Sequence, residues 1–398
     1  MPEVSRKVQD LEESQTLALT ARARQLQNAG IHVISCTAGE PDFPTPRHVK
    51  DAALHAIEGD FTRYTPAEGI GELREAVAAK LERENGIRTT ADHVLVSAGA
   101  KQSIFNALQV LCNPGDEVVI VAPFWVSYPA LVHLVDARAI IVRTNAGNGF
   151  HPEPGSLRRV LSKKTRAVIL NTPCNPTGTV YTAEELENLA EELRGTESLL
   201  ISDEVYERVL YDGHRHVSIA SLEAPRNKVI TVNSVSKTYA MPGWRIGYMA
   251  GPYDIIRAAA RAQSQMVTCI NSVAQKAATA ALTGPDTDVR AMVQEFQNRR
   301  DRLADALHAI PEIELRIPEG AMFFFLGISA YLGRSFRGQV MSSSTTLALY
   351  LLEECKVGLV PGQAFGDDHS LRLSLCCPVP DLLESARRIR QGLQQLTL

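Results

Sequence analysis

Seven short apolar runs recur through the middle of this chain, at residues 93–97, 117–121, 139–143, 167–171, 199–202, 228–232 and 244–250. They are β-rich and mostly apolar on both faces, and several end in Gly, Pro or Asn. Between them lie helical patterns such as 102–111 and 183–193. A strand that is apolar on both sides must be covered on both sides, and helices between successive strands supply that cover. The alternation predicts an α/β fold around a mainly parallel, doubly covered sheet. Ligands of such sheets gather beyond the carboxyl ends of the strands. Nearly all the polar motifs of the chain sit at such ends.

Residues 286–309 read as one long helix leading into a C-terminal α+β part, with strands near 323–327, 358–360 and 371–375. The first 45 or so residues lack strand signals and are expected to pack with that part. The expected division is a large domain over 47–290 and a small one formed by 1–46 and 291–398. The net charge of −4 leaves no basic excess to neutralise phosphates, so nucleic acid is not an expected partner. No run of about 18 apolar residues suits a membrane span, and "MPEVSRKVQDLEESQTLAL" has no secretory h-region. The seven cysteines, 36, 112, 174, 269, 355, 376 and 377, show no C-x-x-C spacing. They read as reduced thiols of a cytoplasmic protein, and no metal site is expected.

"VSAGAKQSIFNAL" follows a strand and opens a helix, so Ser97, Gly99 and Ala100 would present free backbone N–H groups to an anion. A plain tight turn explains the same residues. "LISDEVYERV" puts Asp203 and Tyr206 at the end of a buried strand. The aspartate is either a surface cap or the partner of a protonated ring nitrogen, whose pKa a neighbouring carboxylate raises; Tyr206 would then reach a phenolic oxygen of the same ring. "NTPCNPTGTVY" reads as a Pro-Gly turn ahead of a capping box at Thr182 and Glu185, with Asn175 a turn residue or a donor into the strand-end crevice. Trp125 in "APFWVSY" is a core residue or a flat face for a heteroaromatic ring.

"SVSKTYAMPGWRIGY" places Lys237 among Ser234, Ser236 and, eight residues on, Arg245. The two serines alternate on what reads as an extended segment. Two hydroxyls and a guanidinium suit a phosphate dianion. A buried lysine is costly unless paired or chemically changed, and one whose charged form is disfavoured reacts with aldehydes. Pyridoxal phosphate has a phosphate, a ring nitrogen, a ring face, a phenolic oxygen and an aldehyde. Each has a candidate partner in these motifs.

Taken with "TAGEPDFPTP", "YTPAEGIGELREA", "NPTG", "VPGQAFG" and "LRLSL", in this order, these stretches resemble the fold-type I pyridoxal-phosphate aminotransferases of class I, in the subgroup of bacterial aspartate aminotransferases. The resemblance runs from about residue 14 to the C-terminus. It implies an α/β large domain with a mostly parallel seven-stranded sheet plus a smaller α+β domain. It also implies pyridoxal 5′-phosphate held by Lys237 as Schiff-base lysine and proton shuttle, Asp203 on the pyridinium nitrogen, Tyr206 and Asn175 on the ring oxygen, and Trp125 on the ring face. Gly99, Ala100, Ser234, Ser236 and Arg245 would cradle the phosphate. Tyr64 would reach the phosphate of the partner subunit, making the site a property of a homodimer. Arg372, Asn175 and the backbone of Gly39 would hold the substrate α-carboxylate; Lys101, Ser14 and Thr16 would read a distal carboxylate.

The resemblance thus implies amino transfer from L-aspartate to 2-oxoglutarate by a ping-pong mechanism. The sequence departs from the family pattern at Ala100, Cys174, Pro242 and Phe324, which leaves fine specificity open. A transaminase with another acceptor, such as prephenate, fits the same dicarboxylate residues. Aromatic or alanine transamination, and lyase or cyclopropane-synthase chemistry on the same cofactor, are further alternatives. A non-catalytic ligand-sensing domain is not expected, since about 30 residues ahead of "TAGEPDF" are too few for a DNA-binding extension.

Overall fold

The protein is described by a computed structural model covering residues 4–11, 15–223 and 226–398. A seven-stranded sheet organises it: β1 (Val94–Ser97), β2 (Glu117–Ala122), β3 (Arg138–Arg143), β4 (Thr165–Asn171), β5 (Leu199–Asp203), β6 (Val229–Ser234) and β7 (Gly247–Ala250). Their order across the sheet is β1-β7-β6-β5-β4-β2-β3, and only β7 runs antiparallel to its neighbours. All seven correspond to runs seen in the sequence.

Period-two side-chain alternation explains why both faces are apolar. Ile120, Ile169, Ile201 and Ile230 point into one core layer, and Val119, Val168, Leu170 and Leu200 into the opposite one. The expected capping box is present: Glu185 N–H donates to Thr182 Oγ1 at 3.3 Å, and Thr182 N–H to Glu185 Oε2 at 2.8 Å. A second sheet joins β8 (Phe323–Gly327), β9 (Val360–Pro361) and β10 (Ser370–Ser374) in the order β9-β10-β8. Its core, with Phe323, Phe324 and Leu373, also takes in Leu19, Ala23 and Leu26 from the N-terminal helix Gln15–Asn28. None of the described helices is long and apolar enough to cross a membrane.

The structure corrects four local readings. The first 45 residues do contain a strand: Ile34–Ser35 pairs in parallel with Val357–Gly358. Two residues are too few to leave a periodic signal, and the pairing is long-range. The run at 358–360 is broken at Leu359 into that strand and β9. Residues 242–244 form a 3₁₀ turn and Arg245 is left-handed at φ 54°, so β7 starts only at Gly247. Ser236 lies in the helical turn Val235–Thr238, not on an extended segment.

Gly247 is the pivot of the sheet's carboxyl edge, paired with both Ser97 and Ser234. A Cβ there would lie 2.4 Å from Ala100 N and from the carbonyl carbon of Gly99, where the helix Ala100–Leu111 begins. Backbone atoms cannot swing away as a side-chain tip can. Gly247→Ala is therefore expected to cost about 1–3 kcal/mol, as overpacking does, read as a lower urea midpoint at unchanged slope.

Candidate active site

A cavity of about 230 Å³ opens beyond the carboxyl ends of β1, β4, β5 and β6 and is lined by twelve of the residues the sequence singles out: Gly39, Ala100, Lys101, Trp125, Asn175, Asp203, Tyr206, Ser234, Ser236, Lys237, Arg245 and Arg372. A larger cleft of about 720 Å³ around Arg143, Arg316 and Asp367 contains none of them.

Lys237 is half-buried in the turn after β6. Its Nζ donates to the carbonyl of Gly39, and it has no carboxylate partner among the described residues. Burial pushes its pKa down to about 8. An amine so placed is a ready nucleophile near neutral pH.

Asp203, at the end of β5, is 4% exposed and has no cationic partner in contact among the described residues. Tyr128 donates its hydroxyl to Oδ2 at 2.6 Å, and burial pushes the carboxyl pKa up to about 6. A cationic group in the cavity would relieve that burial. Tyr206, three residues on, is buried with no protein partner on its hydroxyl. Trp125 lines the cavity and meets the Tyr128 ring edge-on at 5.5 Å.

Tyr128 and Asn171 were not anticipated. Asn171 ends β4, donates Nδ2–H to the backbone oxygen of Asp203 at 2.9 Å and accepts the Asn175 N–H at 2.8 Å. An asparagine ending an apolar strand, and a tyrosine one helical turn beyond Trp125, were the available signals.

Of the backbone N–H groups expected to be free at Ser97, Gly99 and Ala100, that of Gly99 is taken by Ser97 O at 2.7 Å, and of the three residues only Ala100 lines the cavity. Gly99, at φ 88°, caps the helix Ala100–Leu111, and a Cβ there would lie 2.3 Å from Arg245 Nη2. Arg245 is held over the cap by bonds to Ala98 O at 3.1 Å and Pro242 O at 2.9 Å. Ser234 Oγ accepts the Ser236 N–H at 3.3 Å. Two hydroxyls, a guanidinium and a helix N-terminus therefore converge on one end of the cavity. Lys101, in the first helical turn, has its Nζ 5.0 Å from the Trp125 ring centroid and no acidic partner among the described residues. Partial burial and the Arg245 charge lower its pKa.

Arg372 stands on β10 with its guanidinium between the rings of Phe323 at 4.3 Å and Phe365 at 4.9 Å. It donates to Asn175 Oδ1 and to Thr37 O, each at 2.9 Å, while its Nε has no partner. It meets no carboxylate, and burial pushes its pKa down to about 10. A buried, planar, uncompensated guanidinium suits a carboxylate.

Of the remaining expectations, Tyr64 is 87% exposed and outside the cavity. Ser14 and the side chain of Thr16 lie outside the described residues. Of the departures from the family pattern, Phe324 is fully buried in the core and does not line the cavity, whereas Pro242 does. Cys174 is buried with its Sγ 3.6 Å from Pro123 O.

The profile of the family "Aminotransferase class I and II" matches residues 31–389. A bifunctional aspartate aminotransferase and glutamate/aspartate-prephenate aminotransferase of Petunia hybrida is 43% identical over 98% of this chain and 82% of its own. An aspartate aminotransferase of Rhizobium meliloti is 41% identical over 96% of this chain and 94% of its own. Among solved structures, the Rhizobium meliloti aspartate aminotransferase superposes with a TM-score of 0.96 at 39% identity, covering both chains fully. The Thermus thermophilus enzyme with maleate gives 0.91 at 38%, covering 98% of this chain and 100% of that one.

Competitive acetylation across pH, read by mass spectrometry, is expected to show Lys237 reaching half-maximal reactivity near pH 8. Solvated lysines reach it near pH 10.4. A Lys237 profile that follows theirs overturns the reading of this amine as activated.

Proposed function

This chain belongs to the class I and II aminotransferases, and from that premise we propose that it is an aspartate aminotransferase using pyridoxal 5′-phosphate. The observation that carries this reading is the set of buried, uncompensated charges around one cavity. Among the described residues, half-buried Lys237 and buried Arg372 have no carboxylate partner, and Asp203 has no cation in contact. A ligand with a cationic ring nitrogen, and with a phosphate and carboxylates at its ends, would satisfy all three. The residues present fit the cofactor, which when bound supplies an electron sink for the carbon being deprotonated.

The chain's own groups then divide the work. Asp203, oriented by Tyr128, holds the ring nitrogen protonated. Tyr206 and Asn175 bind the ring oxygen, and Trp125 covers the ring face. Gly99, Ala100, Ser234, Ser236 and Arg245 take the phosphate. Lys237 would hold the cofactor through its amine and, freed when the substrate amine takes its place, would move the proton given up by the substrate Cα. Arg372, with Asn175 and the backbone of Gly39, orients the α-carboxylate. Lys101 reads the distal carboxylate, together with Ser14 and Thr16. The maleate bound by the Thermus thermophilus relative, itself a dicarboxylate, supports this substrate class.

The exposed Tyr64 would complete the phosphate site of a second subunit, so the working unit is a cytoplasmic homodimer. Residues 47–290 would form the large cofactor-binding domain, and 1–46 with 291–398 the small one. A second reading concerns the acceptor. The prephenate activity in the names of the Petunia hybrida and Nitrosomonas europaea relatives makes prephenate an alternative to 2-oxoglutarate.

Absorbance of the cofactor-loaded protein tests the proposal. L-aspartate alone should shift the visible band and 2-oxoglutarate or prephenate should restore it, as ping-pong kinetics require. A band that L-alanine shifts as readily as L-aspartate sinks the dicarboxylate assignment. Lys237→Ala should lower turnover by roughly 10⁴-fold or more while the protein still takes up cofactor. Lys101→Ala should raise KM for aspartate by about tenfold or more, the loss of one charge-assisted contact, and leave that for alanine unchanged.

A further inference from the structure

The five residues Asp203–Glu207 form a turn whose side chains divide between two environments. Asp203 and Tyr206 line the cavity. Glu204 and Glu207 point into a second, largely buried polar cluster. Glu204 is 0% exposed, and its Oε1 accepts the hydroxyls of Ser202 and Ser218, each at 2.8 Å. Its Oε2 accepts from His216 Nε2 at 2.9 Å and Asn85 Nδ2 at 3.4 Å. Glu207 accepts from Asn85 Nδ2 at 2.6 Å and pairs with the ammonium of Lys80, a side chain 1% exposed. Lys80 also donates to Asn85 Oδ1 at 2.7 Å.

Glu204, Glu207 and His216 bring three potential ligand atoms within 4.8 Å of one another. The cation that balances the carboxylates is nevertheless already part of the chain, because Lys80 sits on Glu207. His216 adds to it. Burial works against its protonated form, but the charge of Glu204 wins and raises its pKa. Burial likewise opposes ionised Glu207, yet Lys80 holds its pKa below the usual range.

A buried ionic cluster contributes little net stability compared with apolar packing of the same volume. A hydrogen-bonded network does fix orientation, and in this one His216 Nδ1 is the buried atom left without a partner among the described residues. The backbone of the turn is anchored at Asp203 O, which accepts from Thr172 N–H at 3.1 Å and Asn171 Nδ2–H at 2.9 Å. It is anchored also at Glu204 N–H on Val232 O at 2.9 Å, at Glu207 N–H on Glu204 O at 3.0 Å and at Val209 N–H on Tyr206 O at 2.8 Å. The side chains of Glu204 and Glu207 add the anchors on the face away from the cavity. On the cavity side, Asp203 has only Tyr128 and a 3.4 Å contact from Val205 N–H, and Tyr206 has no hydrogen bond from its hydroxyl. We propose that Lys80, Asn85, Glu204, Glu207 and His216 form a positioning unit that holds Asp203 and Tyr206 in their aim at the cofactor ring. These five are positioning residues and touch no reacting atom. The proposal rests on the cofactor reading for its functional consequence only.

Two variants test it. Glu204→Ala removes the hub. The double variant Lys80→Met with Glu207→Leu replaces the ion pair by apolar groups and is the one expected to stay folded. Asp116→Asn serves as the control. It alters a buried carboxylate, bonded to Asn113 N–H at 2.8 Å and to Arg166 at 3.2 Å, at the opposite end of the strands. Hydrogen–deuterium exchange of cofactor-free protein should show amides 203–209 exchanging at least tenfold faster in the folded test variants, with no change in the control. The dissociation constant for pyridoxal 5′-phosphate should rise at least tenfold in the same variants, and the pH dependence of the bound cofactor's absorbance should shift. Wild-type exchange at 203–209 in either folded test variant overturns the positioning unit. So does wild-type cofactor affinity with an unshifted pH profile. Wild-type protein that takes up no cofactor removes the cofactor reading instead, while the exchange measurement still decides the positioning.

Discussion

The geometry of the site depends on one constraint, the common direction of the central strands. Because six of the seven point the same way, their carboxyl ends open on one edge. Asn171, Asp203 and Ser234 are the last residues of their strands, and Ser97 ends β1 on the same edge. Each therefore projects a polar group where the ladder stops and the covering helices have not yet begun. The close seat of the helix Ala100–Leu111 on Gly247 brings the helix N-terminus to that edge as well. A side chain at 247 would push away the N–H groups that make the anion end of the cavity.

Within this frame the cavity gathers charges that do not neutralise one another. Arg245, Lys101, Lys237 and Arg372 face a single carboxylate, Asp203. Burial depresses the pKa of Lys237 from 10.5 to about 8 and raises that of Asp203 from 3.8 to about 6. Both shifts are costs to the folded protein near neutral pH. Between pH 8 and 10.5 the unfolded chain binds more protons at Lys237, so this cost fades as pH rises. Between pH 3.8 and 6 the folded protein binds more protons at Asp203, so its cost appears as pH rises through that window. Anionic ligands that carry a cationic ring remove these costs on binding, which links the stability of the fold to occupancy of the site.

The second buried cluster inverts this pattern. Lys80, Glu207 and Glu204 are buried and His216 nearly so, yet each charge has its partner within the chain. The turn 203–207 separates the two environments. One side has its charges paired within the chain, and the other is left open to a ligand. That contrast is what a preorganised site requires, since open valences are useful only if their supports do not move.

Local sequence determined a good part of this. Runs apolar on both faces marked all seven strands, and Thr182 with Glu185 marked a helix start. The order of the motifs around Gly99, Asn175, Asp203, Lys237 and Arg372 placed the cavity residues. The strand and cap signals are legible because each lies within a few residues of chain and follows from backbone periodicity or turn chemistry, whereas the motif order speaks through the family resemblance. The structure alone decided what depends on distant partners. Tyr128 reaches Asp203 across 75 residues, and Lys80 reaches Glu207 across 127. The strand Ile34–Ser35 exists only because Val357–Gly358 lies beside it. In sequence, Lys80 is one more charge on an ordinary helix and Phe324 a missing hydroxyl. Packing makes the first a buried counter-ion and removes the second from the cavity, because burial and pairing are properties of the assembled fold and not of any local segment.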